Sequence, residues 1–214
     1  MSVRRLAEPA LQPERFAFTP ENLEWARGQI AKYPQGRQHS AIIPLLWRAQ
    51  EQAGGWLPQK AIEHVAELLD MPNIRALEVA TFYTMFNLAP VGKFHVQVCG
   101  TTPCVLRGAD RLIALCQRRF GAPLHVTSDG TFSWIEVECL GACVNAPAVQ
   151  INYDYYEDLD PESLTRILDD LAAGKEVKPG PQVDRQTSAP IGGPTSLTDP
   201  ALYAPAGSSS HGQT

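Results

Sequence analysis

The sequence predicts an α+β protein, with a helical bundle in the first half and a mixed α/β domain in the second. Two observations carry that prediction. Apolar residues recur at helical spacing up to about residue 88, and from Phe94 they alternate as in strands. A third observation marks the end of the chain, where Pro, Gly, Ser and Thr take over. Residues 1–18 are expected as a loosely held arm, 19–90 as the helical bundle, 91–177 as the α/β domain and 178–214 as a low-complexity, flexible tail.

The helical half is well punctuated. Thr19 and Pro20 fit the N-cap and first helical position, with Leu23, Ala26 and Ile30 on one face. A second helix is expected over 40–53, ended by Gly54-Gly55, with Pro44 tolerable because it lies near the first turn. A third starts near Pro58 and lines up Ile62, Val65 and Leu69. Pro72-Asn73 stops it and opens a fourth that runs towards Phe86.

The second half begins with a strand in which Phe94, Val96 and Val98 alternate with His95 and Gln97. A single helix is expected over 104–120, then a short strand at 124–126, the turn Asp129-Gly130 and a strand over 132–138. Another strand follows at 148–152, and Asp160-Pro161 opens a last helix closed by Gly174. The order β-α-β-β-β-α is compatible with a thioredoxin-like sandwich.

Composition excludes several classes. Of 214 residues, 44% are hydrophobic and 19% charged, which is ordinary for a globular chain. With 18 basic and 23 acidic side chains the net charge is −5, and no basic stripe or aromatic–basic interleaving suggests a nucleic-acid partner. No run of 18 apolar residues is present, so no membrane-spanning helix is expected. Arg4-Arg5 lacks a following apolar segment, and Glu8 and Glu14 do not suit a transit peptide.

The chemistry rests on five cysteines, an odd number that does not read as a disulfide framework. Cys99-x4-Cys104 and Cys139-x3-Cys143 are separated by 34 residues, and each pair lies where a strand gives way to a loop. If those strands run parallel and adjacent, four thiolates converge. Such a set suits Zn²⁺ or an iron–sulfur cluster, while a dithiol redox pair lacks the usual Cys-x-x-Cys. A [2Fe–2S] cluster with four thiolates carries a formal charge of about −2. The small residues of 100–103 and 140–142 would let backbone N–H groups turn towards sulfur, and Cys104 would sit near a helix N-terminus. Neither ligand loop contains Lys or Arg, so a low midpoint potential is expected. Cys116 falls on an apolar helix face with Ile113 and Phe120 and reads as a buried structural thiol.

Other residues read as structural. His95 is expected to face solvent or an interface, Trp134, Glu136 and Glu138 to form a polar outer strand face, and 154–158 to form a loop or partner-facing turn.

The segments Val98-Cys99-Gly100-Thr101-Thr102-Pro103-Cys104, Glu138-Cys139-Leu140-Gly141-Ala142-Cys143-Val144-Asn145-Ala146-Pro147 and 79–86 resemble the small iron–sulfur subunit of the NADH-dehydrogenase module of respiratory complex I. In bacteria this is the E-subunit family of NADH:quinone oxidoreductase. The resemblance covers about residues 20–175. It implies a thioredoxin-like domain holding one [2Fe–2S] cluster on Cys99, Cys104, Cys139 and Cys143. It further implies a flavoprotein partner that binds NADH and FMN, other peripheral-arm subunits, and a place on the cytoplasmic side of the bacterial inner membrane. The chain has no Gly-x-Gly-x-x-Gly or P-loop of its own, in keeping with an electron carrier that leaves hydride chemistry to its partner. The same subunit type occurs in NAD-linked hydrogenases and formate dehydrogenases. A four-cysteine zinc module and a thiol–disulfide enzyme are the readings from other classes.

Overall fold

The computed structural model describes residues 4–203. Four helices come first: α1 (Pro20–Ile30), α2 (Ile42–Gln52), α3 (Gln59–Leu68) and α4 (Asn73–Phe82). The Thr19 side chain accepts a hydrogen bond from the Asn22 amide at 3.2 Å, and Pro20 takes the first position. Pro44 is the third residue of α2, inside the turn whose N–H groups have no helical partner. Leu45, Leu46, Leu57, Val65 and Phe86 are fully buried in one core with Ala26, Ala49 and Ala61. α4 ends at Phe82, four residues short of Phe86. Carbonyls just beyond its end, which no helical N–H can reach, are taken by the Arg4 guanidinium: Nη1 donates to Tyr83 O at 2.7 Å and Nη2 donates to Phe86 O. The N-terminal arm is therefore fastened. Phe18 is buried, its amide donates to His64 Nε2 at 3.2 Å, and Phe16 and Phe18 pack edge-on against the His64 ring.

β1 (Phe94–Cys99) leads to α5 (Thr102–Leu106) and α6 (Ala109–Phe120). The single helix expected over 104–120 is thus two. Gly108 breaks it at φ +99°, a left-handed backbone that residues with a side chain rarely adopt. β2 (Phe132–Val137), β3 (Val149–Ile151), β4 (Asp154–Glu157), α7 (Pro161–Ala172) and β5 (Gly180–Pro181) complete the fold. The strand expected at 124–126 is absent, because Leu124 has φ +64° and cannot continue an extended run. α7 has the predicted start, a reciprocal capping box in which the Ser163 amide donates to Asp160 Oδ1 at 2.7 Å, and Gly174 follows its end at φ +73°.

The five strands lie in the order β2-β1-β3-β4-β5. Lys93 N bonds Gly130 O and Gly100 N bonds Val137 O, so β1 and β2 meet start to start and end to end, as parallel strands do. β3 and β4 form an antiparallel hairpin with Val149 opposite Tyr156 and Ile151 opposite Asp154. Residues 154–157 are therefore strand, not loop, and Tyr156 and Glu157 are buried. β5 pairs parallel to β4 through Tyr156–Gly180 and Glu157–Pro181, so the start of the expected tail adds a strand to the sheet. The Gly-Ser run at 207–210 lies outside the described residues.

Two compact units emerge. One runs to Gln97 and takes in Ala114–Glu136. The other holds Val98–Ile113 and the described chain from Val137 onward.

Two expectations about the first unit are overturned. Trp134 is 2% exposed and donates its indole N–H to Gly121 O at 2.9 Å, so it belongs to the core and not to a polar outer face. Its place on one strand face with Glu136 and Glu138 gave the wrong side of the strand. Three successive residues, Phe132, Ser133 and Trp134, are buried, so β2 starts covered on both faces.

His95 is likewise buried, 4% exposed, with Nδ1 2.8 Å from Ser133 Oγ, while Gly92 N donates to the same hydroxyl oxygen at 2.9 Å. Burial lowers the His95 pKa to about 4. A depressed folded-state value means the histidine stabilises the fold above the unfolded pKa near 6.5, and that contribution is lost as pH falls towards 4. We expect roughly 2 kcal/mol of it to be gone by pH 5. Denaturant titrations at pH 7.5 and 5 should show this loss, and His95→Gln should flatten the difference.

Candidate metal centre

The second unit holds all four cysteines of the sequence pattern. β1 ends on Cys99, whose amide donates to Ala148 O at 3.2 Å. The next residue, Gly100, bonds Val137 at the end of β2 at 2.9 Å. The two strand ends are thus held side by side, and the loops that follow them leave the same edge. On the first, Thr102 and Pro103 open α5 and make Cys104 its third residue. On the second, Cys139 lies two residues past β2. Gly141 turns the chain at φ +82°, and Cys143 begins a short 3-10 turn, Cys143–Asn145. The residues packed around the inner cysteines are small: Ala109, Ala142, Ala146 and Ala148, with Leu140 and Tyr155 beside them. The Tyr155 hydroxyl donates to Leu140 O at 3.0 Å and ties the second loop to β4.

Cys99 and Cys104 are 1% exposed, whereas Cys139 and Cys143 are exposed. The outer sulfurs lie 3.4 Å apart, the Thr101 hydroxyl is 3.3 Å from Cys99 Sγ, and the Gly141 amide donates to Cys139 Sγ at 3.4 Å. These contacts split the acidities. Burial pushes the Cys104 thiol up to about 12, helped by its neighbour Cys99. Burial also acts on Cys99, but the hydrogen bonds of Thr101 and the amide of Leu140 outweigh it, so that thiol falls below its usual value. The Gly141 amide, then the Cys143 thiol, lower Cys139, and Cys139 in turn raises Cys143. Charge on Cys99 is felt by Cys104, Cys139 and Cys143, and charge on Cys143 by Cys104, so the four thiols occupy one electrostatic site.

Each pair therefore has one thiol shifted below its usual pKa and one shifted above it. Binding a metal requires all four as thiolates, so loading should release protons. Among the described residues no group of three or more His, Cys, Asp or Glu side chains is already arranged to hold a metal ion. The donor chemistry nevertheless fits a dinuclear centre: two chelating thiol pairs, with an amide and a hydroxyl directed at sulfur to offset negative charge. The sequence anticipated the inward amide near Gly141 but not the Thr101 hydroxyl, which only the turn into α5 brings to the sulfur. Cys116 lies outside both pairs. It is 0% exposed on α6, and burial pushes its thiol to about 12.

Residues 26–172 match the family model of the thioredoxin-like [2Fe-2S] ferredoxins. The chain belongs to this family. Membership brings the [2Fe–2S] cluster with it and makes the α+β, thioredoxin-like assignment a finding. Among curated relatives, an E subunit of NADH-quinone oxidoreductase from Rhizobium meliloti (strain 1021) is 60% identical over 204 residues, covering 94% of this chain and 74% of the relative. The E subunit of NADH-quinone oxidoreductase from Rickettsia bellii (strain RML369-C) is 60% identical over 157 residues, covering 73% of this chain and 94% of the relative. Among solved structures, an NAD+-reducing [NiFe]-hydrogenase in its H2-reduced state aligns with a TM-score of 0.51 at 22% identity. That alignment covers 62% of this chain and 22% of that one, and it carries the fold alone.

Proposed function

We propose that this chain is the electron-transfer subunit of an NADH:quinone oxidoreductase, holding one [2Fe–2S] cluster on Cys99, Cys104, Cys139 and Cys143. The observation that carries the reading is 60% identity to the E subunit of such an enzyme over 94% of the chain. A [2Fe–2S] cluster supplies reversible one-electron transfer. The chain's own part is to present two thiol pairs at one sheet edge, to bury the Cys99–Cys104 pair, and to leave the Cys139–Cys143 side open for a redox partner. That partner is a flavoprotein subunit carrying NADH and FMN, so this subunit needs no substrate site of its own. Among the described residues no helix is long and apolar enough to cross a membrane, in keeping with a peripheral position on the cytoplasmic face of the bacterial inner membrane. Copurification with membrane-arm and flavoprotein subunits tests the assembly. Copurification with a hydrogenase or formate-oxidising subunit would overturn it.

Exposed apolar side chains close in the chain to the cysteines suit contact with a partner protein. Val105, Leu106 and Val144 are 44%, 80% and 55% exposed, next to Cys104 and Cys143 in the chain. Leu106→Asp should weaken binding to the flavoprotein by at least about tenfold. Its effect on the stability of the free subunit should stay within about 0.5 kcal/mol. Affinity measurement beside thermal denaturation separates the two effects.

A further inference from the structure

The segment after α7 does more than extend the sheet. β5 lays it along β4, and Gln182 N continues the ladder to Glu157 O at 3.0 Å. The chain then turns back towards the second cysteine loop. Arg185 Nε meets Asp158 Oδ2 at 3.0 Å in a pair only 8% and 10% exposed, and Arg185 Nη2 donates to Val144 O at 2.6 Å. Val144 is the residue directly after Cys143. Asn145, 0% exposed, donates from Nδ2 to Asp158 Oδ2 at 3.3 Å and to Gln186 O at 3.4 Å. The Thr187 hydroxyl donates to the buried Glu157 carboxylate at 2.7 Å. One short stretch thus closes on the backbone that follows an exposed cysteine, using a buried ion pair as its fixed point.

We propose that residues 180–187 are a strap that positions the Cys139–Cys143 loop, with Arg185 as the positioning residue that clamps Val144 to Asp158. The physical need is specific to this pair of cysteines. Cys99 and Cys104 are fixed by β1, α5 and burial, whereas Cys139 and Cys143 sit on an exposed loop whose own support is a glycine turn and a short 3-10 turn. A guanidinium suits the task because its fork reaches a carboxylate and a carbonyl at once, which a single ammonium cannot do in the same geometry. Asp158 neutralises the cation, so the strap supports the loop without adding net charge beside the sulfurs.

The strap's bearing on the cluster rests on the function proposed above, while its bearing on the loop does not. The test is made on the full chain with Arg185→Met, Arg185→Lys and Asp158→Asn. Hydrogen exchange of the Asn145 and Ala146 amides, which bond Ala142 O and Cys143 O, is followed together with the rate of iron release to a chelator and the g-values of the reduced cluster. Arg185→Met and Asp158→Asn should each speed exchange and iron release by roughly tenfold or more and alter the g-values. Arg185→Lys should keep the thermal midpoint close to that of the unaltered protein yet still speed exchange at Asn145 and Ala146. Exchange and iron release within about twofold of the unaltered protein in all three variants would overturn the strap. An unaltered protein without a cluster would defeat the electron-transfer reading instead, and amide exchange would still decide the strap.

Discussion

Replacing any one of Cys99, Cys104, Cys139 and Cys143 by serine should strip the purified protein of most of its iron and sulfide, whereas Cys116→Ser should leave both in place. Serine is a poorer ligand to iron than thiolate, and in the proposed ligand set each cysteine is half of a chelating pair. The variants should differ in stability in a pattern that iron content does not follow. Cys139 and Cys143 are exposed, so serine there costs the apo fold little. Cys99, Cys104 and Cys116 are buried, and a hydroxyl without a partner at such a site costs about 1–3 kcal/mol. Compared as apo proteins, Cys116→Ser should therefore have a lower melting temperature than the unaltered chain and Cys143→Ser a similar one, while on purification Cys116→Ser should keep the cluster and Cys143→Ser lose it. Iron analysis beside calorimetry reads both axes. Equal iron loss at Cys116 would mean that the ligand set is wrong.

The second large effect is expected at Gly92. A Cβ there would lie 2.3 Å from the Phe132 carbonyl carbon and 2.6 Å from the Ser133 nitrogen, both backbone atoms with no flexible end to swing aside. The same glycine donates its amide to Ser133 Oγ, which the His95 ring also meets. Gly92→Ala must push β2 away and break this buried set. The cost should be about 3 kcal/mol or more, equivalent to a melting temperature lower by roughly 6–12 °C in a chain of this size. A midpoint within a degree of the unaltered protein would mean that the close approach of Gly92 to β2 is not maintained in solution.

Much of the architecture was legible because the chain marks its own boundaries. Thr19-Pro20 and Asp160-Pro161 start helices where they should, and Gly174 follows the last one. The cysteine pairs were legible for the same reason: each follows a strand whose alternation is plain, and parallel neighbours bring both ends to one edge. What was not legible depended on contacts distant in sequence. His95 and Trp134 read as outward residues until Ser133 and Gly121 supply their partners. The acidic and aromatic run at 154–158 reads as a loop, because its strand character comes from pairing on both sides, with β3 and with β5. The N-terminal arm looks unsupported because Arg4 finds its acceptors some eighty residues later, at the end of α4. The start of the tail looks idle for the same reason. Composition registers its prolines and glycines but not that Arg185 returns to Asp158 and Val144. The absence of Lys and Arg from the ligand loops holds in sequence, and a cation reaches the second loop only through the fold.

The function proposed above requires a two-iron centre held by the Cys99–Cys104 and Cys139–Cys143 pairs. The most direct test is Mössbauer spectroscopy of anaerobically purified protein, with iron, sulfide and zinc counted on the same sample. Two irons and two sulfides per chain, in a coupled all-ferric pair that takes up one electron on reduction, is the predicted result. One zinc per chain with neither iron nor sulfide would contradict it.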